Sequence, residues 1–524
     1  MLNGIRYILF VNAQDTTRHV SSANTAIYPN LGLLTLMTAV EQRLQSADFR
    51  LGYFDGTVHG NLALEQFIDE NAGSIAAVCF SALTANYGAS LALAERAKRL
   101  NPTVITIFGN DHFSALYKQV MRNRACVDYG FYGNDVVEGF GAFVTDCLLG
   151  SIDDLSTYAG LVYRQPSGEI TANPENPAEY GELSAPNYAL IDSLMPHRKH
   201  YLEGQQKTYF FMRSRELRSQ VVDIGRGCIK FAGPRLEGIP LNACDFCGII
   251  PGVKEISSPD AAKAWAILHN AYEHGYNYFY VIADELPLTL WPMLRDMAAD
   301  IPSWFSSLSS DERPKMFGYA RAEAFAIAPD RIKVLIEDLG FDHFFIGFDG
   351  LTEISLLVMN KQPVGGRGRA ENPMEHNLRA FDDMVTRGGM ITAGLVLTHL
   401  GITPALLEEN YNALARIVNS HPKTFAALDF GPLCPIPGSQ SFRYLTHPEY
   451  AEARAEKFGL RVNRDYLESR KEYYREADDF DMNELIEDFT IGCCPDITPK
   501  QVDDHIARIT ELADRYEIVV GGGV

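Results

Sequence analysis

The sequence predicts an α/β protein made of two successive strand–helix series, a doubly wound parallel sheet and then a partial or full parallel barrel, closed by a helical C-terminal cap. Three observations predict it. Apolar, strand-like runs alternate with helix-period segments through residue 150, and the alternation resumes at Val221 and continues to Phe430. The stretch between holds Tyr163-Arg-Gln-Pro-Ser-Gly168, which reads as a hairpin turn, and Asn173-Pro-Glu-Asn-Pro177, which reads as irregular chain. Beyond Pro437-Gly438 the residues become charged and helical. The expected divisions are therefore 1–150, a connector at 151–205, 206–440 and a cap at 441–524.

In the first series, strands are expected at Arg6–Asn12, Arg50–Phe54, Ile75–Phe80, Val104–Phe108 and Val127–Tyr132. Helices are expected over Leu31–Leu44, Leu62–Asn71 and Ser90–Leu100, with another between the last two strands. Such a sheet binds ligands beyond the carboxyl ends of its strands. Those ends are polar or Gly-rich: Asn12-Ala-Gln-Asp15, Asp55-Gly56, Ser81-Ala-Leu-Thr84, Gly109-Asn-Asp-His112 and Gly133-Asn-Asp135. Each also suits a plain turn. No G-x-G-x-x-G is present, which argues against a dinucleotide.

The second series has strand-like runs beginning at Val221 and at Tyr276–Ile282, Lys315–Tyr319, Phe341–Phe348, Met390–Leu397 and Phe425–Phe430. The helices between them carry recognisable punctuation. Ser258-Pro-Asp260 opens one that stops at Gly275, Pro329 sits in the first turn of one that stops at Gly340, and Pro404–Asn419 is a third. In parallel barrels catalytic groups sit at the strand carboxyl ends. Cys228 follows the first of these strands, Asp284 and Glu285 the second, Arg321 and Glu323 the third, and Asp349 the fourth. In the cap, Thr498-Pro-Lys-Gln501 reads as a capping box leading into a helix over Val502–Tyr516.

A formal charge of -21 over 524 residues argues against a nucleic-acid groove and fits a protein acting on small molecules. No window approaches a membrane-spanning apolar length and no signal-peptide pattern opens the chain, so a cytoplasmic protein without a membrane partner is expected. The nine cysteines, odd in number and irregularly spaced, fit ligation and burial better than a disulfide framework. Cys244-Asp-Phe-Cys247 is a chelating pair, and Cys228 lies upstream across a Gly/Pro-containing loop at 229–243. Three thiols, rather than a full set of Cys ligands, leave one iron of a cluster free to bind and react. A structural zinc pair is the competing reading, but no fourth ligand stands out. Cys79 reads as core, and Cys126 and Cys147 default to structure. Cys434, at a strand end near the barrel mouth, suits burial or substrate contact. Cys493 and Cys494, adjacent in a Gly/Pro loop of the cap, are candidates for a hydrogen-atom or proton donor facing the substrate.

Together these features resemble the cobalamin-dependent radical SAM family. The residues that carry the resemblance are Pro29-Asn-Leu-Gly-Leu-Leu34, Ser81, Thr84, Gly109-Asn-Asp-His112, Val127-Asp-Tyr with Gly133, Arg226-Gly-Cys228, Cys244-Asp-Phe-Cys247, Ile346-Gly-Phe-Asp-Gly350, Asn360-Lys361 and Pro435-Ile-Pro-Gly438. The resemblance implies a B12-binding Rossmann-like sheet, a partial (β/α)6 radical SAM barrel and a variable cap. It implies a [4Fe–4S] cluster on Cys228, Cys244 and Cys247, with S-adenosylmethionine (SAM) on the free iron. It places Phe246 near adenine, Asp284 and Glu285 by the SAM amino group, Arg321 and Asp349 around carboxylate and ribose, and Ser81, Thr84, Gly109 and Gly133 at cobalamin.

Three departures stand out, one being that Gly109-Asn-Asp and Gly133-Asn-Asp replace the commoner Gly-Gly and Gly-Glu forms. Relatives usually leave three residues between the first two cysteines, where this chain has the fifteen of 229–243. The D-x-H-x-x-G signature of His-ligated cobalamin is absent, since Asp55-Gly-Thr-Val-His59-Gly60 has another spacing and follows another strand. Cobalamin without a protein His under cobalt is thus expected. Arg18 and His19 could approach that face, an ordinary solvated loop being the plainer reading. The implied activity is methyl transfer to an unactivated position of a small molecule, by a 5′-deoxyadenosyl radical and methylcobalamin, with flavodoxin or ferredoxin as electron donor. The alternatives are a cyclase or rearrangement enzyme with the same cofactors, and a non-catalytic iron–sulfur or corrin redox sensor.

Overall fold

The computed structural model describes residues 5–15, 27–44, 46–176, 185–231, 234–236, 239–248, 256–362 and 372–521; Arg18 and His19 lie outside them. The first sheet is formed by β1 (Arg6–Asn12), β2 (Phe49–Asp55), β3 (Ile75–Ser81), β4 (Ile105–Gly109), β5 (Tyr129–Phe131), β6 (Leu161–Arg164) and β7 (Ile170–Ala172). Its order is β2-β1-β3-β4-β5-β6-β7, parallel through β5 and antiparallel beyond. The connector's hairpin therefore extends the first sheet. Ile8, Leu9, Phe10 and Val11 of β1 are fully buried, the continuous apolar signature of a strand covered by helices on both faces. The chain leaves β1 toward β2 and later crosses to β3, so the crevice for a ligand opens where β1 and β3 separate.

The second sheet begins with β8 (Ser219–Asp223). Two short paired pieces, β9 (Arg226–Gly227) and β12 (Ile256–Ser257), and between them a hairpin of β10 (Arg235–Leu236) and β11 (Ile239–Pro240), follow in the cysteine region. Then come β13 (Tyr278–Ile282), β14 (Lys315–Arg321), β15 (Phe341–Asp349), β16 (Met390–Val396), β17 (Phe425–Gly431) and β18 (Val519–Val520). The order β18-β17-β16-β15-β14-β13-β8 is parallel throughout. The six expected strands are all there, each within a few residues of its sequence pattern. β18 is the one the pattern did not signal: two residues after the last cap helix pair with β17, so the cap ends as barrel edge rather than as helix. Asp260 caps the helix Ala261–Glu273 by accepting from Lys263 N, and the Thr498/Gln501 capping box opens Pro499–Arg515.

Two sets of contacts hold the sheets together. On one side the helix Arg198–Thr208 presents Gln205, which is 1% exposed. Its amide donates to Ile27 O at 2.8 Å and Ser219 O at 3.0 Å and accepts from Ser219 N at 2.9 Å, joining the loop after β1 to β8. On the other side Asp478 is 2% exposed. Its carboxylate accepts from Tyr87 Oη (2.7 Å), Arg124 Nε (2.7 Å) and Asn123 Nδ2 (3.0 Å), and its carbonyl lies 2.8 Å from His112 Nε2. A buried carboxylate so placed is worth a great deal, because its removal strands several donors. Asp478→Ala should lower the stability of the cap's docking by about 3 kcal/mol. Equilibrium urea unfolding, together with faster proteolysis of the 460–520 region, would register it; unchanged unfolding would refute the role.

Candidate functional site

The carboxyl ends of both sheets face one cavity of about 1020 Å³. The first sheet contributes Asn12, Asp15, Asn30, Asn86 and Asp111, and the second contributes Tyr280, Phe345, Asp349, Asp429 and Cys434. A smaller cavity of about 290 Å³ runs deeper between β3, β4 and β5, lined by Ser81, Gly109, Gly133, Phe108 and Phe131. Three of the four residues expected at cobalamin thus line one cavity. Thr84 does not; its hydroxyl lies 3.1 Å from His112 Nδ1 and positions that ring.

The crevice is set by two asparagines that the sequence marked only as parts of longer motifs. Asn30 caps the helix Leu31–Arg43 through its carbonyl oxygen and donates from its amide nitrogen to Ser81 Oγ at 2.9 Å. Asn110 donates to the same oxygen at 2.8 Å while its own side chain caps Asp111 N. It holds φ +78, and Asp349 and Asn360 hold φ +55 and +58. Three of the five described non-glycine residues with positive φ therefore lie at these cavities and beside the cysteines, where strain is stored for a purpose. Gly133, at φ +99, meets the same demand without strain. From Asn86 the hydrogen bonds continue to Asn12, to the buried Asp55 and on to Tyr201 and Tyr53, whose hydroxyl accepts from Asn30 N.

Cys228 and Cys244 are buried and Cys247 half-buried. The Cys244 sulfur accepts a hydrogen bond from Cys247, which with the charges of Lys361, Arg321 and Lys230 holds its thiol well below the usual range. Burial pushes Cys228 up to about 12. Among the described residues no three His, Cys, Asp or Glu groups have the spacing of ligands to one ion. Thiols that each bind a different iron of a cluster need not have it.

The long loop after Cys228 is drawn back at three points. β9 pairs with β12, so the chain enters and leaves the excursion side by side. Asn360 donates from its amide to Leu241 O (3.1 Å) and Ala243 O (2.7 Å), just before Cys244. Lys230, 3% exposed, reaches across to Asn360 O at 2.7 Å and Gln362 O at 2.9 Å. These clips bring Cys228 into the field of the C-x-x-C pair, since its sulfur raises the Cys247 thiol further.

The remaining expected residues divide. Arg321 is buried, donates through Nη1 to the Cys244 sulfur at 3.4 Å and pairs with Glu323 at 2.5 Å, while its Nη2 has no partner. Asp349 borders the large cavity and is ion-paired with Lys361, whose ammonium lies 6.0 Å from the Phe246 ring centroid. Phe246 lines the same cavity. Asp284 accepts from Gly227 N at 2.7 Å, next to the first cysteine. Glu285 is buried and spends its carboxylate on Leu288 N, Thr289 N and Thr289 Oγ1, closing the turn after β13. Its pKa is pushed up to about 7 by burial. Cys493 and Cys494 are fully buried and line neither cavity; the Cys494 thiol donates to His399 O at 3.2 Å. Cys434 does line the large one, with its sulfur 3.6 Å from that of Met482.

The B12 binding domain family matches residues 25–140, the sheet that holds the smaller cavity. The anaerobic magnesium-protoporphyrin IX monomethyl ester cyclase of Rubrivivax gelatinosus is 22% identical over 340 residues, which is 64% of this chain and 52% of that protein. The chain thus spans about half the length of that curated relative. Among solved structures, the radical SAM methyltransferase TsrM of Kitasatospora setae, with tryptophan and a SAM analogue bound, aligns with a TM-score of 0.59 at 15% identity, covering 84% of this chain and 76% of that one. The cobalamin-dependent SAM radical enzyme OxsB with aqua-cobalamin aligns with a TM-score of 0.60 at 14% identity, covering 88% and 62%. At such identities the likeness to the solved structures is one of fold. The chain thus matches the B12 binding domain family over its first sheet and shares its fold with cobalamin-dependent radical SAM enzymes.

Proposed function

We propose that the protein uses a [4Fe–4S] cluster, SAM and cobalamin to modify an unactivated carbon, or a phosphorus, of a small molecule by methyl transfer. When bound, the cluster and SAM supply a radical that abstracts hydrogen, and cobalamin supplies a transferable methyl group. The observation that carries the reading is the single cavity bounded by the strand ends of both sheets, with the cysteine loop beside it. The residues present fit the groups. Cys228, Cys244 and Cys247 would hold the cluster, and the unpartnered Arg321 Nη2 offers a buried donor to a carboxylate. Phe246 offers an apolar face, and the Asp349–Lys361 pair brings a carboxylate and an ammonium to the same wall. Ser81, Gly109 and Gly133 line a slot for part of the corrinoid. The electron enters from a flavodoxin- or ferredoxin-type donor.

Cyclisation or rearrangement with the same cofactors is the second reading, favoured because the curated relative is a cyclase. Anaerobically reconstituted protein given SAM labelled in its methyl group separates the two: label in the product means methyl transfer, and an unlabelled product means the second reading. Absence of 5′-deoxyadenosine under reducing conditions would defeat both. Cys244→Ala should abolish iron binding and SAM cleavage together, measured by iron assay and chromatography. Gly109→Leu, which fills the smaller cavity, should cut cobalamin retention by about tenfold or more while iron content stays the same. Cys493→Ala and Cys494→Ala should leave 5′-deoxyadenosine formation unchanged, since neither thiol reaches a cavity; loss of turnover with intact folding would restore them as donors.

A further inference from the structure

The three cations beside the cysteines are not equivalent. Arg321 is paired with Glu323, and Lys361 with Asp349, so each brings its own counter-charge. Lys230 does not. Its ammonium is buried and its two hydrogen bonds run to neutral carbonyls, those of Asn360 and Gln362. Among the described residues it forms no ion pair. A buried ammonium held only by carbonyls costs several kcal/mol, and the fold keeps it at the loop that carries the first cysteine. The cost is offset when negative charge gathers nearby. Cys228 lies two residues before Lys230, and Asn360, whose carbonyl Lys230 holds at 2.7 Å, itself holds Ala243 O at 2.7 Å beside Cys244.

We propose that Lys230 is a positioning residue for the cluster with two linked tasks. It clips the fifteen-residue loop against residues 360–362, and its positive charge, held without an ion pair, favours the one-electron reduced state. The inference rests on the reading that Cys228, Cys244 and Cys247 hold a [4Fe–4S] cluster. A cubane on three thiolates is negative overall and gains one further negative charge on reduction, so a fixed buried cation stabilises the reduced form more than the oxidised one. The step is the arrival of one electron from a low-potential reductant such as titanium(III) citrate. No bond is made or broken and no proton moves.

The test is an EPR-monitored redox titration of the full-length, anaerobically reconstituted protein without substrate, with iron content measured on each sample. A wild-type protein without a cluster signal would sink the cluster reading itself, a result distinct from any below. Lys230→Met keeps the apolar stem and removes the charge. At a fixed potential its ratio of reduced to oxidised cluster should fall about tenfold, a shift of roughly 59 mV to more negative potential for a one-electron couple. Lys230→Arg should titrate close to wild type. Asn360→Ala, which loosens the same loop without altering charge, should lower iron retention while the cluster that remains titrates at the wild-type potential. The proposal is overturned if Lys230→Met binds full iron and titrates as wild type. It is also overturned if Lys230→Met cannot hold iron and Lys230→Arg does not restore it. If Lys230→Arg does restore iron, the clip is supported, and the charge is supported only if that variant also titrates at the wild-type potential and is overturned if it does not.

Discussion

A parallel sheet delivers all its variable loops to one edge, and a site made from two such sheets exists only while the two edges are held face to face. Here that constraint falls on very few groups. Gln205 satisfies three backbone groups belonging to both halves with a single side-chain amide, while Asp478 gathers three donors of the first domain around a carboxylate supplied by the cap. Between these anchors Arg226 crosses the gap, bonded to Asp223 of the barrel and to the Asn134 carbonyl of the B12-binding sheet. Each of these links is polar and directional. Apolar packing alone would permit sliding, whereas hydrogen bonds to fixed carbonyls set the register of one edge against the other.

The electrostatics of the site follow from the same economy. The large cavity is bounded by Asp15, Asp111, Asp349 and Asp429, and the cations are withdrawn behind it, beside the thiols. Asp111 opens onto this cavity, and desolvation there, with the charge of Asp284, pushes its carboxyl up to about 6. Carboxylates therefore line the cavity while Arg321, Lys361 and Lys230 sit beside the thiols, and the Asp349–Lys361 ion pair joins the two.

Much of this was legible in the sequence, and what was not has a common cause. The strands were readable because a buried parallel strand is a continuous apolar run, and the β1 and β15 patterns begin where the strands begin. The cysteines, Phe246, Arg321 and Asp349 were singled out because short motifs and strand ends fix their neighbourhoods. The contributions of Asn30, Asn110 and Lys230 were not. Each acts through a partner distant in sequence, Ser81 for the two asparagines and Asn360 for the lysine, and no local spacing encodes such a pairing. Glu285 misled for the opposite reason: its position after β13 suits a ligand, but its carboxylate is consumed by the turn three and four residues on. The adjacent thiols at 493 and 494 were singled out by their place in a Gly/Pro-flanked segment of the cap, and both are fully buried.

The pairing of β18 with β17 carries a consequence for how the chain is made. β17 ends at Gly431, yet the strand that covers its outer edge is Val519–Val520. During synthesis the barrel's last edge stays bare while the whole cap is being produced, an open template for pairing with another nascent chain. The cap helices are the segments made in that interval. Low occupancy of unfolded intermediates would then depend on the ribosome finishing promptly, and growth conditions that stall translation late in the message would be the ones that send this protein into aggregates.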